Sequence, residues 1–128
     1  MSEEIVILVT APNRDEAARI AESLVAERLA ACVNIVSQIE SIYRWEGKVT
    51  RDSESLLIIK STEDRYGELE RRVRELHTYT VPEVIAIKIE RGSKDYLRWI
   101  HEETRFHEET RRGKKGHEEE RRGTNENE

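Results

Sequence analysis

An imidazole, a phenol, a proline and a carboxylate fall within the seven residues His77 to Glu83, H-T-Y-T-V-P-E. Loops held on rigid elements are where binding chemistry gathers. His77 can ligate a metal or line a pocket, or it can cap carbonyls and favour the dipole at a helix C-terminus. Glu83 can accept from backbone amides, pair with Lys60, or line a cleft together with Tyr79 and Pro82. Pro82 also holds Val81 extended and so launches the strand that follows. Nucleophilic catalysis has little to work with. No Ser or Cys stands in a nucleophile-elbow pattern, and Cys32 has no flanking cation in sequence to lower its pKa. The glycines form no phosphate loop. These readings predict a binding protein and not an enzyme.

The elements that position this loop follow from periodicity. Ile5 to Val9 is a continuous apolar run, the pattern of a strand covered on both faces. Asn13 reads as an N-cap with Glu16 at the capping-box position. Ala17, Ile20, Ala21, Leu24, Val25 and Leu29 then form one helical stripe ending near Ala30. Val33 to Trp45 reads as a long strand with Val33, Ile35, Ile39, Tyr43 and Trp45 on one face. Glu46-Gly47 is a two-residue reversal, and Lys48 to Lys60 returns. Ser61 with Asp64 starts a second helix carrying Tyr66, Leu69, Val73 and Leu76. Val84 to Glu90 alternates as a strand, and Gly92-Ser93 caps a third helix bearing Tyr96, Leu97, Trp99 and Ile100. The order is β-α-β-β-α-β plus a C-terminal helix, an α+β ferredoxin-like fold.

The two hairpin strands are about twice the usual ~5–6 residues. A domain of this size cannot cover them along their length, so the hairpin is expected to be an oligomerisation arm. Tyr43, Trp45 and Trp99 are its expected interface aromatics.

Composition narrows the function. Of 128 residues, 38% are charged and 5% aromatic, which implies a small aliphatic core. The net charge of −5 leaves no basic footprint for nucleic acid. One cysteine excludes an internal disulfide and fits a reducing, cytoplasmic setting. The acidic start M-S-E-E is unlike a signal peptide, and no apolar run approaches the ~20 residues of a membrane span. Residues 1–103 read as the folded domain. The stretch 104–128 is a charged, repetitive tail with seven acidic and seven basic side chains and one large apolar one, Phe106. Such a segment cannot bury enough apolar area to fold alone.

Five motifs together resemble the CutA1 family of divalent-cation tolerance proteins: L-A-A-C-V-N from Leu29, S-I-Y-R-W-E-G-K from Ser41, S-L-L-I-I-K from Ser55, H-T-Y-T-V-P-E from His77 and Y-L-R-W-I from Tyr96. The resemblance covers about residues 4–103. It implies a ferredoxin-like subunit in a tight homotrimer similar to the PII signalling proteins, a role in tolerance of copper or other divalent metals, and no catalytic activity. Two positions depart from the family pattern. Thr78 stands where proline is usual, and Val9 where some members carry cysteine. Cys32 and His77 are then what remains of the positions proposed as metal ligands in the family.

A thiolate and an imidazole suit copper or zinc, but a tight site needs three or four ligands. The residue-level alternatives are a small buried hydrophobe for Cys32 and a capping role for His77. The expected function is copper binding and tolerance by a homotrimer without turnover. The rival is a PII-like sensor holding a small anionic ligand or nucleotide in clefts near His77, Tyr79 and Glu83. A third reading is a trimeric scaffold for a partner protein that the sequence does not identify.

Overall fold

The computed structural model describes residues 3–105, so the expectations for the tail from Phe106 onward lie outside the described residues. Four strands and three helices follow in the order β1 (Glu4–Ala11), α1 (Arg14–Ala26), β2 (Cys32–Trp45), β3 (Lys48–Thr62), α2 (Glu63–Leu76), β4 (Val84–Lys88) and α3 (Lys94–Thr104). The sheet order is β2-β3-β1-β4. β3 pairs antiparallel with both β1 and β2, and β4 pairs antiparallel with β1. β1 and β2 therefore run parallel with β3 inserted between them, which is the split βαβ arrangement of a ferredoxin-like α+β fold.

One face of the sheet carries the core. Ile5, Ile7 and Val9 of β1 and Leu57 and Ile59 of β3 are buried against Ala17, Ile20 and Leu24 of α1 and Leu69 and Val73 of α2. Each large aliphatic side chain so buried contributes ~1.5–3 kcal/mol. The Asn13 side chain accepts from Glu16 N–H at 2.8 Å, closing the first turn of α1. Arg72 of α2 bonds both carboxylate oxygens of Glu27, joining the second helix to the end of the first.

The opposite face is only partly covered. α3 crosses one end of it, where His101 meets Glu4 at 2.7 Å and Ile100 and Thr104 are buried. Val6 and Leu8 remain half-buried, and Ile85 and Ile87 of β4 are 50% and 53% exposed. β1 thus has the composition of a doubly covered strand, but one chain buries only its Ile5, Ile7, Val9 side.

Three local expectations need correction. α1 stops at Ala26, because Arg28 takes a positive φ of 61° and turns the chain away, so Leu29 packs from the connection and not from the helix. Ser61 does not begin α2. It is the penultimate residue of β3, and its buried hydroxyl donates to the Leu29 carbonyl at 2.6 Å; Thr62 is the N-cap. Most consequential is a β-bulge at Gln38, whose φ is 61°. Val36 pairs with Leu56 and Ile39 with Glu54, so β2 spends one more residue than β3 there. A one-residue insertion exchanges the faces of everything beyond it. Val33 and Ile35 pair with Ile59 and Leu57 on the helix side, while Ile39, Tyr43 and Trp45 stand on the other face with Glu54. The five do not share one face.

The reversal at Glu46-Gly47 has φ of 51° and 80°, and Trp45 pairs with Lys48 across it. That is the primed turn suited to the right-handed twist of a hairpin.

Candidate functional site

The loop from His77 to Glu83 leaves α2 and crosses the end of β1. His77 is the C-cap of α2, and its side chain is fully buried. Nε2–H donates to the Thr10 carbonyl at 2.7 Å, and Nδ1 accepts from Tyr79 N–H at 3.0 Å. These two neighbours assign the neutral Nε2–H tautomer and occupy the lone pair through which Nδ1 would bind a metal.

His77 Nδ1 also lies 3.5 Å from Glu16 Oε2, the carboxylate that Thr78 engages. Thr78 N–H donates to Glu16 Oε2 at 2.9 Å, and its hydroxyl lies 3.0 Å from Oε1. Glu16 is 4% exposed, so its carboxylate does not close a capping box on Asn13 but anchors this loop to the start of α1.

Beyond the clamp, Tyr79 O–H donates to Glu54 Oε2 at 2.7 Å. The phenol is pushed well above its ordinary value, first by burial and then by the adjoining Glu54 carboxylate. It stays a proton donor to Glu54, which is 8% exposed. On the same face Tyr43 O–H bonds Asp52, which holds that phenol up as well. The Glu83 carboxyl is raised from 4.5 by desolvation and then by the charge of Glu54.

Between this loop and the hairpin lies a cavity of about 720 Å³. Tyr43, Trp45 and Tyr79 give it aromatic walls, and Glu54 and Glu83 give it charge. A shallower hollow of about 390 Å³ on the far side of Tyr79 and Thr80 includes Pro82 and Arg74.

The residues singled out from the sequence are therefore partly gathered. Tyr79, Glu83, Tyr43 and Trp45 meet at one cavity, and Pro82 lies just behind it. Lys60 does not join Glu83. It pairs with Val6, whereas Glu83 adjoins the Thr10 end of β1, about 13 Å further along at ~3.3 Å per residue. Lys60 instead bonds Asn34 and stands directly across from Cys32, a cation beside the thiol that sequence neighbours do not reveal. Cys32 is half-buried, within reach of Tyr96 and Asn34. Trp99 is 37% exposed and lies against Tyr96 with ring centroids 5.5 Å apart.

Cys32 and His77 do not meet. The thiol is on the face opposite the core, at the α3 end, while the imidazole is packed behind the Thr10 end with both nitrogens engaged. Among the described residues no three His, Cys, Asp or Glu side chains gather as metal ligands would. A thiolate–imidazole centre within one subunit does not fit this geometry. The residues that sequence reasoning missed are Glu54, Asp52 and Glu16. Glu54 and Asp52 read as ordinary surface charges and Glu16 as a capping-box residue; the loop's path brings Tyr79 to Glu54, and the Gln38 bulge turns Tyr43 to the face that carries Asp52.

Comparison with known proteins agrees with the fold. The sequence model described as "CutA1 divalent ion tolerance protein" matches residues 5–103. The chain belongs to the CutA1 divalent ion tolerance family. It is 50% identical over 101 residues to the divalent-cation tolerance protein CutA of Thermus thermophilus, covering 79% of this chain and 98% of that one. To the chloroplastic CutA of Arabidopsis thaliana it is 54% identical over 101 residues, which span 56% of that longer protein. The crystal structure of CutA1 from Oryza sativa superposes with a TM-score of 0.80 at 49% identity, covering 83% of this chain and 97% of that one.

Proposed function

We propose that this chain works as a non-catalytic homotrimer in divalent-cation tolerance, assembled like the PII proteins, with the Tyr79–Glu54 cavity as its ligand site. The carrying observation is the half-covered sheet. Val6, Leu8, Ile85 and Ile87 form an apolar surface continuous with a hairpin whose Tyr43 and Trp45 are exposed. Patches of this kind mark protein interfaces. A second and third copy would cover them and bring a neighbouring subunit alongside each cavity.

Copper is the metal the resemblance points to. Cys32 is the soft donor available, and it needs further donors from outside its own surroundings. His77 would first have to release Tyr79 N–H. A cytoplasmic location accords with a free Cys32, and no helix among the described residues is long and apolar enough to cross a membrane.

Calorimetric titration with Cu(II) and Zn(II) tests the metal part, on the full chain, on His77→Ala, on Cys32→Ala and on a chain ending at Arg105. The expected result is weak copper binding that persists in His77→Ala and disappears in Cys32→Ala. Tight binding abolished by His77→Ala would overturn it. Binding lost only on truncation would move the site to His107 and His117.

A further inference from the structure

The resemblance marks three positions for metal, and this chain holds Val9, Cys32 and His77 at them. Donors to one copper or zinc ion each stand ~2.0–2.3 Å from it, so they lie within about 4–5 Å of one another. Val9 brings no donor atom, and its side chain is enclosed in the core at 0% exposure. Cys32 pairs with Lys60 and Lys60 with Val6, whereas His77 bonds the Thr10 carbonyl. Four residues of β1 separate those points, about 13 Å at ~3.3 Å per residue. The thiol also lies on the face opposite the core, beside Tyr96.

Assembly does not repair the separation. The His77 side chain is 0% exposed within a single chain. No donor from a neighbouring copy reaches an imidazole that its own subunit already encloses.

Four elements meet at this ring instead. The His77 backbone N–H donates to the Val73 carbonyl at 2.9 Å and ends α2. Nε2–H donates to the Thr10 carbonyl of β1, and Nδ1 accepts from Tyr79 N–H in the loop. Glu16 of α1 brings Oε2 to 3.5 Å from Nδ1, but that carboxylate is taken up by the Thr78 N–H and hydroxyl. The Tyr79 ring stands 4.7 Å from the imidazole, centroid to centroid. Turning the imidazole toward any ligand would leave the Thr10 carbonyl and Tyr79 N–H unpaired away from water, a state native structures avoid.

We infer that His77 is a structural junction and not a metal ligand in this protein. Held as the Nε2–H tautomer, it ties the end of β1 and the C-terminus of α2 to the loop that carries Tyr79. Positions 9, 32 and 77 therefore form no shared metal centre, in one subunit or between subunits. Of the three, Cys32 alone keeps a donor that a metal can reach.

Long-range proton–nitrogen spectra of the isotopically labelled full chain read the tautomer directly, with His77→Gln identifying its signals among the four histidines. A protonated Nε2 and a bare Nδ1 are expected, unmoved by Zn(II) added in excess. Thermal unfolding gives a second readout. His77→Ala should lower the midpoint by about 8 °C or more, as two partners left unpaired require. His77→Gln keeps a donor for Thr10 and His77→Asn an acceptor for Tyr79, so each should recover part of that loss. Calorimetry with Zn(II) and Cu(II) should give the parent's binding in every variant that folds. If His77→Ala does not fold, the parent's spectra still decide. A proton on Nδ1, His77 signals displaced by Zn(II), or an unchanged midpoint in His77→Ala would overturn the inference. So would metal binding weakened roughly tenfold or more, ~1.4 kcal/mol, in a His77→Gln protein that keeps the parent's oligomeric state.

Discussion

Thr78 donates twice to the carboxylate of Glu16, through its backbone N–H at 2.9 Å and through its hydroxyl at 3.0 Å. The two residues are 62 positions apart. Proline, usual here in the family this chain resembles, could supply neither donor. The loop carrying Tyr79 and Glu83 is therefore set by a polar clamp on the start of α1 and not by a rigid ring.

Thr78→Val keeps the shape and one donor while removing the hydroxyl. Hydrogen bonds to charged groups are worth ~1.5–3 kcal/mol, so a loss of about 1.5–2 kcal/mol is expected in urea unfolding at fixed protomer concentration. In a double-mutant cycle with Glu16→Gln the coupling should exceed ~0.5 kcal/mol. Additive effects would mean that the clamp contributes nothing.

Tyr79→Phe leaves the Glu54 carboxylate buried without its donor. A cost of about 2–3 kcal/mol is expected for losing a partner of a buried charge. Tyr43→Phe removes the similar bond to Asp52, but that pair is exposed, and water replaces the phenol. Its cost should fall below ~1 kcal/mol. Equal costs in denaturant titrations would contradict the difference in burial.

Glu83 gives the protein a pH dependence of known sign. Its carboxyl is raised from 4.5 in the folded state, so the native protein binds this proton more readily than the unfolded chain does. The favourable contribution is present below about 4.5 and is lost as pH rises through the raised value. Glu83→Gln should therefore raise the thermal midpoint at neutral pH and flatten its fall in the window just above 4.5. A lower midpoint at neutral pH would show that Glu83 is ion-paired in solution.

Deleting Gln38 removes the bulge. Ile39, Tyr43 and Trp45 would then exchange faces with Glu40, Ile42 and Arg44 along the whole arm. The predicted outcome is a protein that retains its α1–α2 core, seen as native near-ultraviolet circular dichroism, but sediments as a smaller species than the parent. An unchanged oligomer would show that the arm's facing is irrelevant to assembly.

Much of the fold was legible from residue pattern. Asn13 and Ser93 act as N-caps, each accepting from the N–H three residues on, and Glu46-Gly47 turns the hairpin. The faces of the hairpin were not legible, because a Gln with positive φ leaves no mark in composition as a glycine would. Ser61 resembled a helix start until its hydroxyl found the Leu29 carbonyl 32 residues away. Half of the site was visible in His77 to Glu83. The other half, Glu54 and Asp52, sits among Arg51, Ser53 and Ser55 and looks like solvated strand until Tyr79 and Tyr43 reach it. His77 was readable both as a ligand and as a structural residue at the helix end; it is the C-cap of α2, and its two ring nitrogens are engaged by Thr10 and Tyr79.

The assembled state is the claim on which the interface, the cavity and the arm all depend, and sedimentation equilibrium of the full chain tests it most directly. A single species near three times the 15.0 kDa chain mass, about 45 kDa, is expected, which Ile87→Lys shifts toward the monomer. A parent protein that sediments at 15.0 kDa throughout the micromolar range would contradict it.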